Sequence, residues 1–343
     1  MFLIVLASAS AADLTIDFLD IGQGDGVLLR TPSGYTVLID GGKPSGHADD
    51  QLVALGVDHI DLLIATHADY DHAGIHEAIL GEFEVGTYLT NGLAHSTLSY
   101  GRITALADRL AAAGLLEVVT SEAFATGEDL GIDDVSLYLL PPPESLGGTD
   151  QNTHSIGIVL EYLDFKAVFT GDSERAETNA WLTEGLGTEL LADIDVYKAI
   201  HHGANNGDAG NVSWLDLVFP EHVVIPVGPN SYGHPTVGAL ATYDSYGALV
   251  YRTDEDGRVS IDVADTGGYS ITTESGGIVF VSSHPVPPLT VSDCPTTHPV
   301  KGNVGSALIY HLPAGAYYGR TYPEECFATA GDAAAAGYRA SSR

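Results

Sequence analysis

The sequence predicts an α+β fold in which two mixed β/α halves follow one another, their sheets packed face to face with helices outside. A small separate module follows a Gly/Ser/Pro-rich linker. Three observations carry this prediction. Short apolar runs of strand length alternate with segments whose apolar residues recur at helical spacing. That alternation occurs twice in chain order. The texture then changes from about Asp265, where Gly, Ser and Pro dominate.

In the first half Leu14–Leu19, Val27–Arg30 and Thr36–Ile39 read as strands separated by Gly, Pro and Asp turns. The fully apolar run Ile60–Ala65 reads as a strand buried on both faces. His72–Leu80 and Ile103–Ala113 read as helices. In the second half Val135–Leu140, Gly157–Leu163, Ala167–Thr170, Val196–Ile200, Val223–Val227, Leu249–Tyr251 and Val259–Val263 read as strands. Ser173–Leu186, Ser213–Val218 and Thr236–Tyr246 read as helices between them. The expected organisation is a signal-like or frayed N-terminus over 1–12, a main domain over 13–264, a hairpin and linker over 265–299, and a small module over 300–343. That module carries its own aromatic cluster: Tyr310, Tyr317, Tyr318, Tyr322 and Phe327.

The charge is extreme. Thirteen Lys and Arg stand against 46 Asp and Glu, a formal net charge of −33. With 45% hydrophobic residues the chain is not disordered. A folded protein this acidic repels itself at low salt, and a Debye length of about 3 Å at 1 M salt screens the repulsion. A high-salt habitat is therefore expected. The rivals are an ordinary acidic secreted protein or a cation binder. So few basic residues also argue against tight nucleic-acid binding, which relies on Lys and Arg at phosphates. Met1 to Asp13 holds a short apolar run and then small residues, like the back half of an export signal without its basic start. Export, to the cell surface or beyond, is the expectation, with no membrane partner and no further membrane span. Oligomeric state is not legible. Cys294 and Cys326 are the only cysteines. They are too few for a thiolate zinc site, and a disulfide between them stays open.

The chemistry concentrates after the strand Ile60–Ala65. His67, Asp69, Asp71 and His72 fall within six residues, and a strand running into a tight loop gathers such side chains around one point. Imidazole nitrogen and carboxylate oxygen together suit zinc, manganese or iron. A solvated acidic loop is the plain alternative, against which stand the two framing histidines.

Thr66 to Gly74 resembles the H-x-H-x-D-H signature of the metallo-β-lactamase fold, with Asp69 at the second His. That departure resembles the ComEC-like branch, the hydrolase domain of DNA-uptake proteins. Asp20–Asp25 (DIGQGD), Leu38–Gly42 (LIDGG), Phe169–Asp172 (FTGD), His201–Gly203 (HHG), Tyr232–Pro235 (YGHP) and Arg252–Asp254 (RTD) resemble the same branch, in order, over about Leu14 to Val263. The resemblance implies an αββα sandwich holding two divalent ions, manganese or zinc. His67 and Asp69 would hold one, and Asp71, His72 and His201 the other. Asp172 would bridge them, unless it merely caps the following helix. His201 and His202 follow a strand, where neighbours face opposite ways, so one of them is the expected ligand, with His201 favoured. His154, in Asn152-Thr153-His154-Ser155, is a candidate ligand or an exposed residue. Asn152 and Ser155 are candidate donors to a substrate oxygen. Lys198 either holds a phosphate or lies on the surface. His234 contacts substrate or protonates the leaving group, or is a structural loop residue. Asp40 and Asp25 are expected to brace the metal loop by hydrogen bonds, or are simple turn residues.

The C-terminal segment, through Gly302-Asn303, Ile309–Pro313, Tyr317-Tyr318 and Ala336–Arg339, resembles an Ada-type metal-binding module stripped of its zinc cysteines. A packing cluster or a weak binding role is expected there. The activity implied is two-metal phosphodiester hydrolysis by metal-activated hydroxide, with DNA, single-stranded and weakly bound, as substrate. A hydrolase of small esters, phosphodiesters or lactones, and a non-catalytic surface-binding protein, are the alternatives.

Overall fold

A computed structural model of the chain describes residues 13–281, apart from 133, 185, 187–188 and 193. Of the C-terminal segment it describes 294–295, 298–304, 308–313, 315 and 318–341. The signal-like residues 1–12, Ala314 and Tyr317 lie outside the described residues.

The first half runs β1 (Leu14–Phe18), β2 (Gly26–Arg30), β3 (Thr36–Asp40), α1 (Ala48–Ala54), β4 (His59–Ala65), α2 (Tyr70–Ala73), α3 (His76–Glu82), β5 (Glu84–Thr90), α4 (Leu98–Ala112) and β6 (Glu117–Thr120). The second runs β7 (Glu128–Asp129), β8 (Ser136–Leu140), β9 (Gly157–Tyr162), β10 (Phe165–Phe169), α5 (Arg175–Thr183), β11 (Val196–Lys198), α6 (Val212–Val218), β12 (His222–Ile225), α7 (Val237–Tyr246), β13 (Leu249–Arg252), α8 (Thr253–Asp256) and β14 (Val259–Val263). Then come β15 (Tyr269–Thr273) and β16 (Gly277–Val281). One sheet has the order β16-β15-β14-β1-β2-β3-β4-β5-β6 and the other β13-β12-β11-β10-β9-β8-β7.

Strand alternation explains the layering. Along β3, Val37 and Ile39 enter the core between the sheets, while Leu38 joins the core under the helices. Along β12, Val224 faces inward, and Val223 and Ile225 face α5–α7. Leu14, Ile16 and Phe18 of β1 meet Ile158, Leu160 and Phe169 of the other sheet, and Phe18 and Phe169 stack with ring centroids 5.9 Å apart. Outside, Leu52, Ile79 and Ile103 close the first sheet, and Trp181, Trp214 and Tyr243 the second. The result is the αββα order expected.

The two halves share one plan. In each, three antiparallel strands (β1-β2-β3, β8-β9-β10) continue through three parallel ones (β4-β5-β6, β11-β12-β13). The loops that leave β3 and β4, and β10 and β11, sit where each sheet changes direction, at carboxyl ends of strands.

Several elements differ from expectation. The helix read over His72–Leu80 is two pieces, α2 and α3, with the break at Gly74-Ile75. Tyr70 O and the Tyr70 ring press against Gly74, leaving no room for a side chain there. The hairpin expected within 265–299 is built into the first sheet, since β15 pairs with β14 from Val259↔Thr273 to Val263↔Tyr269.

The C-terminal segment forms a four-stranded sheet, β19-β17-β18-β20, from β17 (Val300–Val304), β18 (Leu308–His311), β19 (Glu325–Phe327) and β20 (Arg339–Ala340). Helix α9 (Ala330–Ala335) covers it, capped by Thr329 and Asp332 in a reciprocal box. Its core is Val300, Phe327, Ala333 and Tyr338 with Tyr310 alongside. Tyr322, expected in the aromatic cluster, is instead exposed, and Tyr318 lies over the Lys301 ammonium at 4.2 Å. Cys294 and Cys326 form a disulfide. Among the described residues no helix is long and apolar enough to cross a membrane.

Candidate metal centre

Asp40, at the end of β3, organises the loop after β4. One carboxylate oxygen accepts Thr66 N–H at 2.8 Å. The other accepts the Thr66 hydroxyl at 2.7 Å and His72 Nδ1–H at 2.8 Å. Because the Thr66 hydroxyl donates to Asp40, its lone pair is left to accept His67 Nδ1–H at 3.1 Å, with Ser155 Oγ also near at 3.3 Å. His202 Nδ1 donates to Pro226 O at 2.9 Å, with Asp25 Oδ1 3.2 Å away. All three rings thus spend their Nδ1 proton on acceptors behind them. Each is left with an Nε2 lone pair, and the three rings surround one point, the Asp172 carboxylate.

That point is short of partners. His67 Nε2, His72 Nε2, His202 Nε2 and Asp172 Oδ1 are all buried and none has a hydrogen-bond partner. Asp172 Oδ1 lies 3.1 Å from His72 Nε2 and 3.5 Å from His202 Nε2. Buried polar atoms are rarely left so, and inward-facing imidazole and carboxylate lone pairs are what a divalent cation satisfies. Donor atoms of His67, His72 and Asp172 lie within 4.8 Å of one another, as do those of Asp71, His72 and His202. The residues present fit a metal centre.

The electrostatics agree. Burial pushes the Asp172 carboxyl up, but His202, His72 and His201 overcome it and hold the group well below the usual carboxylate range. Burial lowers the His67 imidazole, and His72 lowers it further, which keeps it neutral. Burial also disfavours charge on His72, yet Asp172, Asp25 and Asp40 raise it well above the ordinary histidine value, so without a cation this ring takes up the proton whose place a metal would fill. These carboxylates draw positive charge to the centre.

Backbone conformation aims the histidine pair. His201 and His202 adopt left-handed conformations, φ 49° and 53°, so they do not alternate as strand neighbours would. β11 stops at Lys198, and both rings turn toward Asp172. His201 Nε2 is 3.5 Å from Oδ2, on the more open side. Against the slight preference for His201, it is His202 that is grouped with Asp71 and His72. Gly203, φ +78°, follows where a Cβ would lie 2.7 Å from that of Pro235. The loop is fastened from below by Asp208. This buried carboxylate accepts Ile200 N–H at 2.9 Å, Tyr197 OH at 2.8 Å and Tyr243 OH at 2.6 Å.

Asp69 and Asp71 occupy the rim. Asp69 is 3.8 Å from His67 Nε2 and 3.5 Å from His95 Nε2; Asp71 is 3.9 Å from His202 Nε2. Asp172 does not cap a helix: α5 begins at Arg175 with Glu174 at its cap position, and Asp172 points inward.

Other expected site residues lie elsewhere. His154 is buried but belongs to none of the metal-competent groups. Its Nδ1 is held by Asp150 O at 2.8 Å, and it lines a separate cavity of about 1080 Å³ with Asn91, Phe124 and Pro141. Ser155 sits behind His67 rather than at a substrate position, and its N–H donates to buried Glu177 at 3.2 Å. Asn152 begins a short 3-10 turn, Asn152–His154, with its side chain toward Glu174. Lys198 is neither on the surface nor free for a phosphate. It is 1% exposed, its Nζ donates to Gly171 O at 2.6 Å, and it pairs with Asp25. His234 stands at the rim, its ring 5.3 Å from that of His201 and stacked by Tyr232 at 5.7 Å. Asn230 Oδ1 accepts the N–H groups of Tyr232, Gly233 and His234 and so shapes that loop.

Sequence reasoning missed Thr66, Gln151, His95 and Asp208. Thr66 orients His67, Gln151 Oε1 accepts Ala68 N–H at 3.0 Å, and His95 faces Asp69. Thr66 begins the signature segment, which was signal enough. The other three come from distant loops.

A family model described as the metallo-beta-lactamase superfamily matches residues 19–259, and one described as ArfC matches residues 282–340. ComE operon protein 3 of Bacillus subtilis (strain 168) is 26% identical over 280 residues, covering 76% of this chain and 34% of that protein. Competence protein ComA of Neisseria gonorrhoeae is 26% identical over 251 residues, covering 72% and 32%. The chain therefore spans about a third of the length of these relatives. Among solved structures, Igni18, a metallo hydrolase from Ignicoccus hospitalis KIN4/I, is 16% identical at a TM-score of 0.45, with 72% of this chain and 98% of that one covered.

Proposed function

Since the chain belongs to the metallo-beta-lactamase superfamily and is a metal-dependent hydrolase, we propose that it is a two-metal phosphodiesterase acting on single-stranded DNA. One observation carries the reading: the partnerless lone pairs of His67, His72, His202 and Asp172 face one another between the two halves. Two divalent ions held there supply an activated water and neutralise charge on a phosphate.

His67, Asp69 and Asp172 form one side of the proposed centre, and Asp71, His72, His202 and Asp172 the other. Asp40, Thr66 and Pro226 O fix the ring tautomers, so the nitrogens present lone pairs without reorganisation. Asp69 in place of an imidazole adds a hard oxygen donor, which favours manganese over zinc. His201 and His234 border the open side, where a scissile phosphate would enter. Burial first, then His201 and His202, lower the His234 imidazole, so it is neutral there and contacts substrate as a hydrogen-bonding group. The DIGQGD, FTGD and HHG motifs, which resemble the hydrolase domain of DNA-uptake proteins, support DNA as substrate.

The poverty of cations favours a second reading, a hydrolase of small esters or phosphodiesters. Among the described residues, Lys198 is the only lysine or arginine in an ion pair with a carboxylate of the centre. A single-stranded DNA cleavage assay in molar salt, titrated with manganese and zinc, separates the two. Cleavage that Asp71→Ala lowers by more than about 100-fold is expected. Esterase activity without DNA cleavage would establish the second reading instead. Secretion and a high-salt environment remain part of the proposal.

A further inference from the structure

Lys198 is one of four lysines in the chain and is buried against the metal centre. Desolvating an ammonium costs several kcal/mol, so a fold that buries one must surround it with negative charge. Around it lie Asp25 in direct contact, Asp172 at 3.8 Å and Gly171 O at 2.6 Å. The Asp25 carboxylate against Nζ and the Asp172 carboxylate beside it supply that negative charge.

We propose that Lys198 is a positioning residue that acts as a fixed third cation of the metal centre, balancing its carboxylates so that the centre is complete with two divalent ions. The inference rests on the metal-binding part of the proposed function and not on the identity of the substrate. The balance is simple. Asp25, Asp40, Asp69, Asp71 and Asp172 are the carboxylates in and directly behind the centre. His67, His72 and His202 are neutral when their Nε2 lone pairs are engaged, because each Nδ1–H is already donated. Five negative charges against one ammonium leave four, which two divalent ions cancel before any water bound to them gives up a proton. A single ion would leave two negative charges uncompensated beside the buried Asp25, Asp40 and Asp172, a cost where the dielectric is low. Asp69, standing where an imidazole would be neutral, adds one of those charges.

A lysine that only propped up the loop would predict the opposite behaviour on removal. Without such a prop the ligands loosen and metal binding weakens. Without a balancing charge the metal-free site becomes more repulsive, and cations bind more tightly. Lys198→Met, which keeps the aliphatic stem, discriminates. Manganese titration by calorimetry and thermal melting, with and without manganese, would be measured on the full chain.

The expected results are two ions per wild-type chain and, for Lys198→Met, a metal-free melting temperature lower by roughly 5–10 °C. Manganese binding by this variant is expected to be about tenfold tighter or more. The double variant Asp25→Asn/Lys198→Met removes both members of the pair. It is expected to regain metal-free stability and return affinity toward wild type, which keeps the idea testable if the single variant does not fold without metal. Weaker manganese binding in Lys198→Met, or a double variant no more stable than the single, overturns the inference. Wild-type protein that takes up no divalent ion by elemental analysis would overturn the metal reading itself.

Discussion

At the scale of single residues, the centre is held by groups that never reach a substrate. Asp40 accepts three hydrogen bonds, and through Thr66 and His72 it decides which nitrogen of two imidazoles faces inward. Asp40→Asn keeps the shape but loses one acceptor, so manganese affinity is expected to fall by about 10- to 100-fold, measured by calorimetry. Asp208 makes a different prediction. Burial pushes its carboxyl up to about 6, against the hydrogen bonds from Tyr243, Tyr197 and Ile200. Its folded pKa lies above the ordinary 3.8, so the native state keeps this proton longer than the unfolded chain. The resulting stabilisation is whole below pH 3.8 and is lost as pH rises through about 6. Asp208→Asn is expected to remove a slope of up to about 3 kcal/mol over that window, read as the difference between wild-type and variant urea unfolding. The cluster His67–His72 was legible because its members are neighbours in sequence and follow an apolar strand. Which of His201 and His202 turns inward was not, because the choice depends on two left-handed residues that strand periodicity cannot foresee. Nor could Lys198 be read as buried: its partner Asp25 lies on another sheet.

At the scale of elements, the strand cores were readable wherever β-branched and leucine runs were bounded by turns. β14 falls where the alternating Val259–Val263 pattern puts it. The helix α1, and strands β5 and β6, carry too many polar residues for periodicity to reveal them; tertiary pairing with β4 makes β5 a strand. The DIGQGD segment was legible as a motif, while its job emerges only from a contact between elements. Gly24 has φ +146°, and a Cβ there would stand 2.3 Å from Asp71 O. Gly24→Ala must therefore displace the ligand loop. A loss of about 2 kcal/mol or more in thermal unfolding is expected, together with weakened manganese binding. Gly34→Ala is the control, since Gly34 also has positive φ but nothing within 4 Å of its Cβ position. It should be destabilised by strain alone and bind manganese as wild type does.

At the scale of the molecule, the net charge of −33 is spread over a fold with ordinary, well-filled apolar cores. On the high-salt proposal, self-repulsion rather than poor packing is what limits stability in dilute buffer. Circular dichroism against salt is expected to show unfolding below about 1 M, with the salt requirement relieved by divalent ions. A wild-type fold unchanged in dilute buffer would refute the high-salt reading.

The shared plan of the two halves has a kinetic consequence. His67, Asp69, Asp71 and His72 come from the first half, and Asp172 and His202 from the second. In the proposed centre the donors are divided between the halves, so a cation bound by all of them would be captured only after the halves have docked. It would act as a clasp closed at the end of assembly and opened at the start of disassembly. Raising manganese should leave the refolding rate nearly unchanged while slowing unfolding in proportion to occupancy, a one-sided chevron that stopped-flow fluorescence of Trp181 and Trp214 can record.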